Sequence, residues 1–242
     1  MFTDDEAAEL YDRLNPWDPA AWPSDAFYDA LVAAADSVLD VGCGTGAMLR
    51  LARAGGHTGR LVGIDPDASA LARARSRTDI EWVHGVAADV RWDAEFALAT
   101  MVSHAFQCLV TDAEVRASLA AVRRALRPGG VFAFETRHPQ ARAWESWNPE
   151  NGSEVVDGRG RKLWVEHRVE QVAGDVVTFT ETTSVEGEVA RVDRTSLRFM
   201  DVATLNGFLT EAGFEIEAQY GDWRRGPITE ESREIVTLAR RP

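Results

Sequence analysis

The 242-residue sequence predicts an α/β protein, a doubly wound and mostly parallel sheet of seven strands with an inserted antiparallel β-meander. Three observations carry that expectation. Short apolar runs closed by Gly or Asp alternate with amphipathic segments through the first 138 residues, the pattern of right-handed crossovers. After His138 a stretch rich in Pro, Gly, Asn and Trp gives way to three segments dense in Val and Thr. The chain then closes on one further helix and two strands.

The first strand is residues 37–42, Ser-Val-Leu-Asp-Val-Gly, apolar enough to be buried on both faces. Met48, Leu49, Leu51 and Ala52 have helical spacing, and Gly55-Gly56 stops that helix. Residues 60–65 form a second strand, Pro66 opens a helix to about Arg77, and residues 80–83 form a third strand. A fourth strand spans 96–102. A helix from about Asp112 to Leu126 ends at Pro128-Gly129-Gly130, before a fifth strand at 131–134. Residues 139–160 read as loop, and 161–172, 175–186 and 189–200 as the meander, broken near Gly174 and Gly187. A helix over 202–212, capped by Gly213, and strands near 214–220 and 234–239 complete the order.

Composition narrows the function. Hydrophobic residues make up 45% of the chain, enough for a real core, and the length suits one decorated domain. The net charge of −13 disfavours a nucleic-acid partner. No apolar run approaches the ~18 residues of a membrane span, and the first residues are acidic where a signal peptide is basic. Cys43 and Cys108 are too few for a disulfide framework and lack metal-ligand spacing, so no metal and a cytoplasmic setting are expected. Both read as small core residues, and a homodimer is left open.

The stretch Asp40-Val41-Gly42-Cys43-Gly44-Thr45-Gly46-Ala47 turns a strand sharply into a helix and presents backbone N–H groups to an anionic group. A carboxylate or a phosphate satisfies it. Gly42, Gly44 and Ala47 also have dinucleotide spacing, whereas no G-K-[ST] follows, so it is not a P-loop. Asp65, at the tip of the second strand, is placed to accept from both hydroxyls of a ribose, which both rival cofactors contain. Asp89, after Ala88, is placed to receive an adenine amino group. Asp40, inside its strand, needs a donor or cationic partner if buried.

In combination, Val38 to Gly46, Gly63-Ile64-Asp65, Asp89 and Leu126-Arg127-Pro128-Gly129-Gly130 resemble the motif set of class I S-adenosylmethionine-dependent methyltransferases of the small-molecule type, over about residues 36–138. The resemblance implies a Rossmann-like sheet with a reversed final hairpin and S-adenosyl-L-methionine as cofactor. It places Gly42, Cys43, Gly44 and Gly46 against the methionine part, with Asp40 near its amino group. Asp65, followed by Pro66, would hold the ribose, Ala88 and Asp89 would meet the adenine, and Met101 and Val102 would pack beside the cofactor. The acidic residue that the family often carries at the start of the fourth strand is missing from Phe96-Ala97-Leu98.

Methyl transfer to O or N of a small molecule needs alignment and, for a hydroxyl or ammonium, a base. The candidates are His104 after the fourth strand, His138 after the fifth, and Tyr11 in an N-terminal lid helix; each has an alternative role in packing or hydrogen bonding. Glu135 reads as an ion-pair partner, and Trp17, Trp22, Trp144 and Trp147 as walls of the mouth or as packing residues. The expected organisation is a lid segment (1–28), a cofactor-binding core (29–138), a cap (139–200) and a C-terminal helix and strand pair (201–242). A nicotinamide-dependent oxidoreductase is the rival reading, though Lys162 is the one lysine available for a catalytic Tyr/Lys pair. A non-catalytic cofactor-binding module is the other.

Overall fold

The structure is a computed structural model that describes residues 2–242, so Met1 of the expected lid segment lies outside it. Helix α1 (Asp4–Leu14) opens on a capping box in which Thr3 and Glu6 exchange hydrogen bonds, with three acidic residues in its first turn. Helix α2 (Pro23–Ala34) starts on its proline and runs across the expected boundary at residue 28. Then come β1 (Ser37–Val41), α3 (Ala47–Ala54), β2 (Arg60–Asp65), α4 (Ala68–Ala74), β3 (Glu81–His84) and β4 (Phe96–Met101). Helix α5 (Asp112–Ala125), opened by a second capping box from Thr111 and Glu114, leads into β5 (Leu126–Arg137).

The cap is built from β6 (Ser153–Val156), β7 (Lys162–Ala173), β8 (Val176–Val185) and β9 (Glu188–Arg198), paired antiparallel in that order. Helix α6 (Val202–Glu211) and strands β10 (Glu215–Tyr220) and β11 (Glu234–Arg240) finish the chain. The main sheet has the order β10-β11-β5-β4-β1-β2-β3, with β11 antiparallel to both neighbours and the rest of the core parallel. Strand order reverses between β1 and β4, so the crevice at their carboxyl ends is where ligands bind in such sheets. Because β11 runs the other way, its first residue, Glu234, lies beside Arg137 at that same edge.

Each face of the sheet carries its own core. Leu39, Val62, Ala99, Phe132 and Phe134 pack with α5 and α6, whereas Val38, Leu61, Leu98 and Ala133 pack with α2 and α3. Two such cores follow from strands buried on both faces, and the charged side chains gather toward the strand ends. Glu135, two residues beyond Ala133, therefore falls on the α2 face, and His138 on the other.

Four details differ from expectation. Helix α5 stops at Ala125 because Arg127 precedes a proline and disfavours helical backbone, so β5 begins before the Pro-Gly-Gly turn. Helix α4 ends at Ala74, capped at Asp67 and not at Pro66. A short strand, β6, pairs within the segment expected to be loop, and β3 sits one residue later than expected. The meander turns at Gly174 and at Glu186-Gly187, the latter pair both at positive φ, as a two-residue hairpin demands.

One contact fixes the loop that follows β1. The indole of Trp82 lies under Gly46 and Gly63, and a Cβ on Gly63 would meet the ring at 2.6 Å and the Cys43 sulfur at 2.7 Å. Cys43 is buried and the half-buried Trp82 is held by its Nε1 donating to the Arg77 carbonyl at 2.9 Å, so a methyl on Gly63 must push one of them aside. Gly63→Ala is expected to destabilise the protein by about 1–3 kcal/mol, read from urea unfolding midpoints at unchanged slope.

Candidate active site

The loop between β1 and α3 holds its shape through its own backbone and β2. Gly42 and Cys43 donate their N–H groups to the Ile64 carbonyl at 2.8 and 3.2 Å. Gly44 donates to Asp65 Oδ2 at 2.7 Å. Gly42, Gly44 and Gly46 have φ of 76°, 54° and 74°, which only glycine adopts without strain. Cys43 turns its side chain inward among Leu71, Ala74 and Trp82, so the cysteine contributes backbone to the loop and its thiol to the core.

Asp65 is buried, and its other oxygen accepts the Asp67 N–H at 2.7 Å. Burial raises its pKa against the pull of those two amide bonds. A carboxylate offers about four acceptor positions, so the two amides leave capacity for hydroxyl donors. Pro66 follows it, exposed, with its carbonyl accepting from His84 Nε2 at 2.9 Å when that nitrogen carries the proton. Ala88 and Asp89 are exposed on the next tip, where Asp89 accepts the Val86 N–H at 3.1 Å.

Asp40 is 1% exposed and accepts from the Thr100 hydroxyl at 2.8 Å. Its pKa is pushed up to about 7, first by burial and then by the nearby charges of Asp65 and Glu135. Among the described residues no cation pairs with it. This is the fit expected of a site that receives an ammonium group, because an arriving positive charge would restore the carboxylate.

The turn after β4 is strained. Ser103 and His104 have φ of 55° and 62°, a left-handed conformation that costs roughly 1–3 kcal/mol for each non-glycine residue. Glu135 holds the turn: its Oε1 accepts the His104 N–H at 2.8 Å, and its Oε2 accepts the hydroxyl of Tyr28 from α2. Burial raises the pKa of Glu135 and, with the Glu135 charge added, that of Tyr28 well above the ordinary range. His104 Nε2 lies 2.9 Å from Glu234 Oε2. With the Nε2 proton donated to Glu234, Nδ1 is the basic nitrogen of the ring. The turn thus presents an imidazole fixed in rotation by a carboxylate.

Tyr11 reaches in from α1. It is 49% exposed, yet burial raises its phenol pKa and Ser103, Cys108, Glu135 and Arg137 all act on it. Cys108 behaves alike, solvent-reachable but raised by burial. Side chains that water reaches while protein surrounds them line a cleft. Helix α1 is laid over the glycine loop by Asp12, which accepts from Thr45 Oγ1 at 2.5 Å. It is also tied to the cap, where Glu6 meets Arg159 at 2.8 Å and Arg161 at 2.7 Å, and Leu10 packs on Leu163 and Val165.

Glu135 is the common neighbour of Tyr11, His104 and Asp40, and His138 is set apart from it. His138 lies on the α6 face, where its Nδ1 accepts the Gln140 N–H at 3.2 Å and caps the short turn Pro139–Ala141. Burial lowers its pKa, partly offset by Asp201. Met101 and Val102 are buried in opposite cores, so their backbones border the cleft while their side chains pack within the fold. Trp144 and Trp147 pack on Phe179 and Phe199 in the cap, Trp17 lies near Tyr28, and Trp22 is exposed. Glu135 makes no ion pair and instead holds Tyr28 and the His104 amide. Tyr28 and Glu234 were not singled out from the sequence. The reversed last strand was the available signal for Glu234, since its first residue must arrive at the ligand edge.

A family model described as a methyltransferase domain matches residues 38–130, from β1 through the glycine loop to the start of β5. The chain is 30% identical over 194 residues to the dTDP-3-amino-3,6-dideoxy-alpha-D-glucopyranose N,N-dimethyltransferase of Streptomyces fradiae, covering 78% of this chain and 69% of that protein. The chain belongs to the class I S-adenosylmethionine-dependent methyltransferases. It is 26% identical over 215 residues to the cypemycin N-terminal methyltransferase of a Streptomyces species, covering 85% of this chain and 83% of that one. The fold is shared with an S-adenosylmethionine-dependent methyltransferase of Clostridium acetobutylicum, at a TM-score of 0.76 and 16% identity over 98% of each chain. The methyltransferase is therefore an enzyme that uses S-adenosylmethionine, and the nicotinamide and non-catalytic readings fall. Among the described residues no helix is long and apolar enough to cross a membrane.

The elevated pKa of Asp40 gives a signed prediction. The folded chain keeps that proton up to about pH 7 and the unfolded chain only to about 4, so this residue's contribution to stability falls as pH rises between them. Asp40→Asn is expected to stabilise the protein by about 1–3 kcal/mol at pH 8, a gain that shrinks through that window and vanishes near pH 4 in urea melts.

Proposed function

We propose that this methyltransferase transfers the methyl group to an amine nitrogen of a small molecule bound under the cap, with His104 as the general base. When bound, S-adenosylmethionine supplies an electrophilic methyl carbon on a sulfonium. The loop Gly42, Cys43, Gly44 and Gly46 would hold its amino-acid tail by backbone, with Asp40 facing the ammonium. Asp65, beside Pro66, would take the ribose hydroxyls, Ala88 and Asp89 the adenine, and Met101 and Val102 the border of the cofactor cleft.

The observation that carries the acceptor side is the His104–Glu234 pair, held at 2.9 Å on a turn whose strain Glu135 and Tyr28 maintain. Glu234 accepts the Nε2 proton and fixes the ring, so the other nitrogen is available to take a proton from an incoming ammonium. Carboxylates at the same edge favour a cationic acceptor over a neutral one. Tyr11 would border the acceptor, with its hydroxyl kept protonated because burial raises its pKa. One relative is named an N,N-dimethyltransferase of an amino sugar and another an N-terminal methyltransferase, which supports the same choice. His138 takes no part in this reading. A net charge of −13 speaks against nucleic acid as acceptor, and two unpaired cysteines suit the cytoplasm.

Two measurements test the proposal. Asp65→Ala is expected to weaken S-adenosylhomocysteine binding in calorimetry by about 1–3 kcal/mol with unchanged circular dichroism. Unchanged affinity would take Asp65 out of the site. On an amine panel assayed with labelled cofactor, His104→Ala should lower kcat by about 10²–10⁴ while cofactor affinity holds, with Glu234→Gln intermediate. Equal loss of cofactor affinity would make His104 a packing residue.

A further inference from the structure

We propose that Arg137 is the specificity-determining residue for the acceptor, and that the acceptor carries an oxyanion, a carboxylate or a phosphate, which the guanidinium grips. This deepens the reading above and rests on the cleft being the acceptor's site. Arg137 ends β5, directly across from Glu234 in the antiparallel ladder.

Acidic residues outnumber basic ones 39 to 26, so a carboxylate partner is easily found in this chain. Two stand near enough to act on the guanidinium, Glu234 and Glu135. Neither pairs with it. Glu135 is committed to Tyr28 and the His104 amide, and Glu234 to the His104 ring.

Neutral groups hold Arg137 instead. Gln107 is fully buried; its Oε1 accepts from Arg137 Nη1 at 3.1 Å and from the Arg137 N–H at 3.3 Å. Its Nε2 donates to the Arg198 carbonyl at 2.9 Å, so both ends of the amide are committed and the side chain cannot rotate. Trp147 covers the guanidinium, with its ring centroid 5.5 Å from Cζ. One donor and one face are thereby fixed, while Nε and Nη2 find no partner among the described residues and the residue is only half-buried, near Tyr11 and Cys108. Desolvation lowers the pKa of Arg137, and the group still stays charged. A pre-oriented guanidinium with spare donors is matched to two oxygens of one anion.

Cys108 supplies a probe, because its thiol lines the same cleft, feels the Arg137 charge, and is the exposed cysteine of the two. Alkylation by iodoacetate and by neutral iodoacetamide both need the thiolate, so the ratio of their rates reports attraction of the anion alone. Arg137→Gln is expected to lower that ratio about three- to tenfold. In the unaltered protein, millimolar inorganic phosphate or acetate should slow alkylation several-fold against sodium chloride of equal ionic strength. Stronger protection by phosphate assigns a phosphoryl acceptor, and stronger protection by acetate a carboxylate one. Should Arg137→Gln fail to fold, Arg137→Lys keeps the charge and removes the fork, so it should retain the ratio and lose the protection.

A ratio unchanged in Arg137→Gln, or no protection of the unaltered protein by either anion, overturns the proposal and leaves Arg137 as a counter-charge to Glu135 and Glu234. Since none of these readings uses the cofactor, loss of the amine-methylation reading in the kinetic assay is seen separately from loss of this one.

Discussion

Carboxylates crowd the carboxyl edge of one sheet face, and the site is organised around keeping them there. Asp40, Asp65 and Glu135 are buried, and burial raises the pKa of each. Three backbone amides and two hydroxyls settle them: Gly44 and Asp67 for Asp65, Thr100 for Asp40, Tyr28 and the His104 N–H for Glu135. Only Asp40 lacks a charged or amide donor. Burial pushes its pKa up to about 7.

The same edge shows how strand direction distributes chemistry. Parallel strands bring their last residues to the crevice, so β1, β2, β4 and β5 contribute the glycine loop, Asp65, the Ser103-His104 turn, Glu135 and Arg137. The antiparallel β11 contributes its first residue, Glu234. The family match ends at residue 130, so Glu135, Arg137 and Glu234 lie beyond the matched segment while the glycine loop lies within it. The matched segment thus holds the glycine loop and His104, while Glu135 and Glu234, which hold His104, lie outside it.

Much of this was legible in the sequence where local physics decides. The strand and glycine-loop pattern around residues 37–46 specified a buried strand turning tightly, and the meander turned where Gly174 and Gly187 were. Asp65 stood out because a carboxylate at a strand tip has few other reasons to be there. His138 looked equivalent to His104, and the two differ only by which sheet face the strand's alternation assigns them, which a sequence without registers does not reveal. Tyr28 and Glu234 act through partners 107 and 130 residues away, contacts that no local pattern encodes. Arg127 before Pro128 was the signal that α5 ends early, and its effect on the preceding backbone explains the longer β5.

Helix α1 touches both the cofactor loop, through Asp12 and Thr45, and the cap, through Glu6 with Arg159 and Arg161 and through Asp4 with Arg191. Its eleven residues span only about 16 Å, a rigid strut between two moorings. A lineage that remodels the hairpin near residues 157–161 to accommodate a new acceptor must preserve basic groups opposite Glu6, or the strut tilts and takes Tyr11 with it.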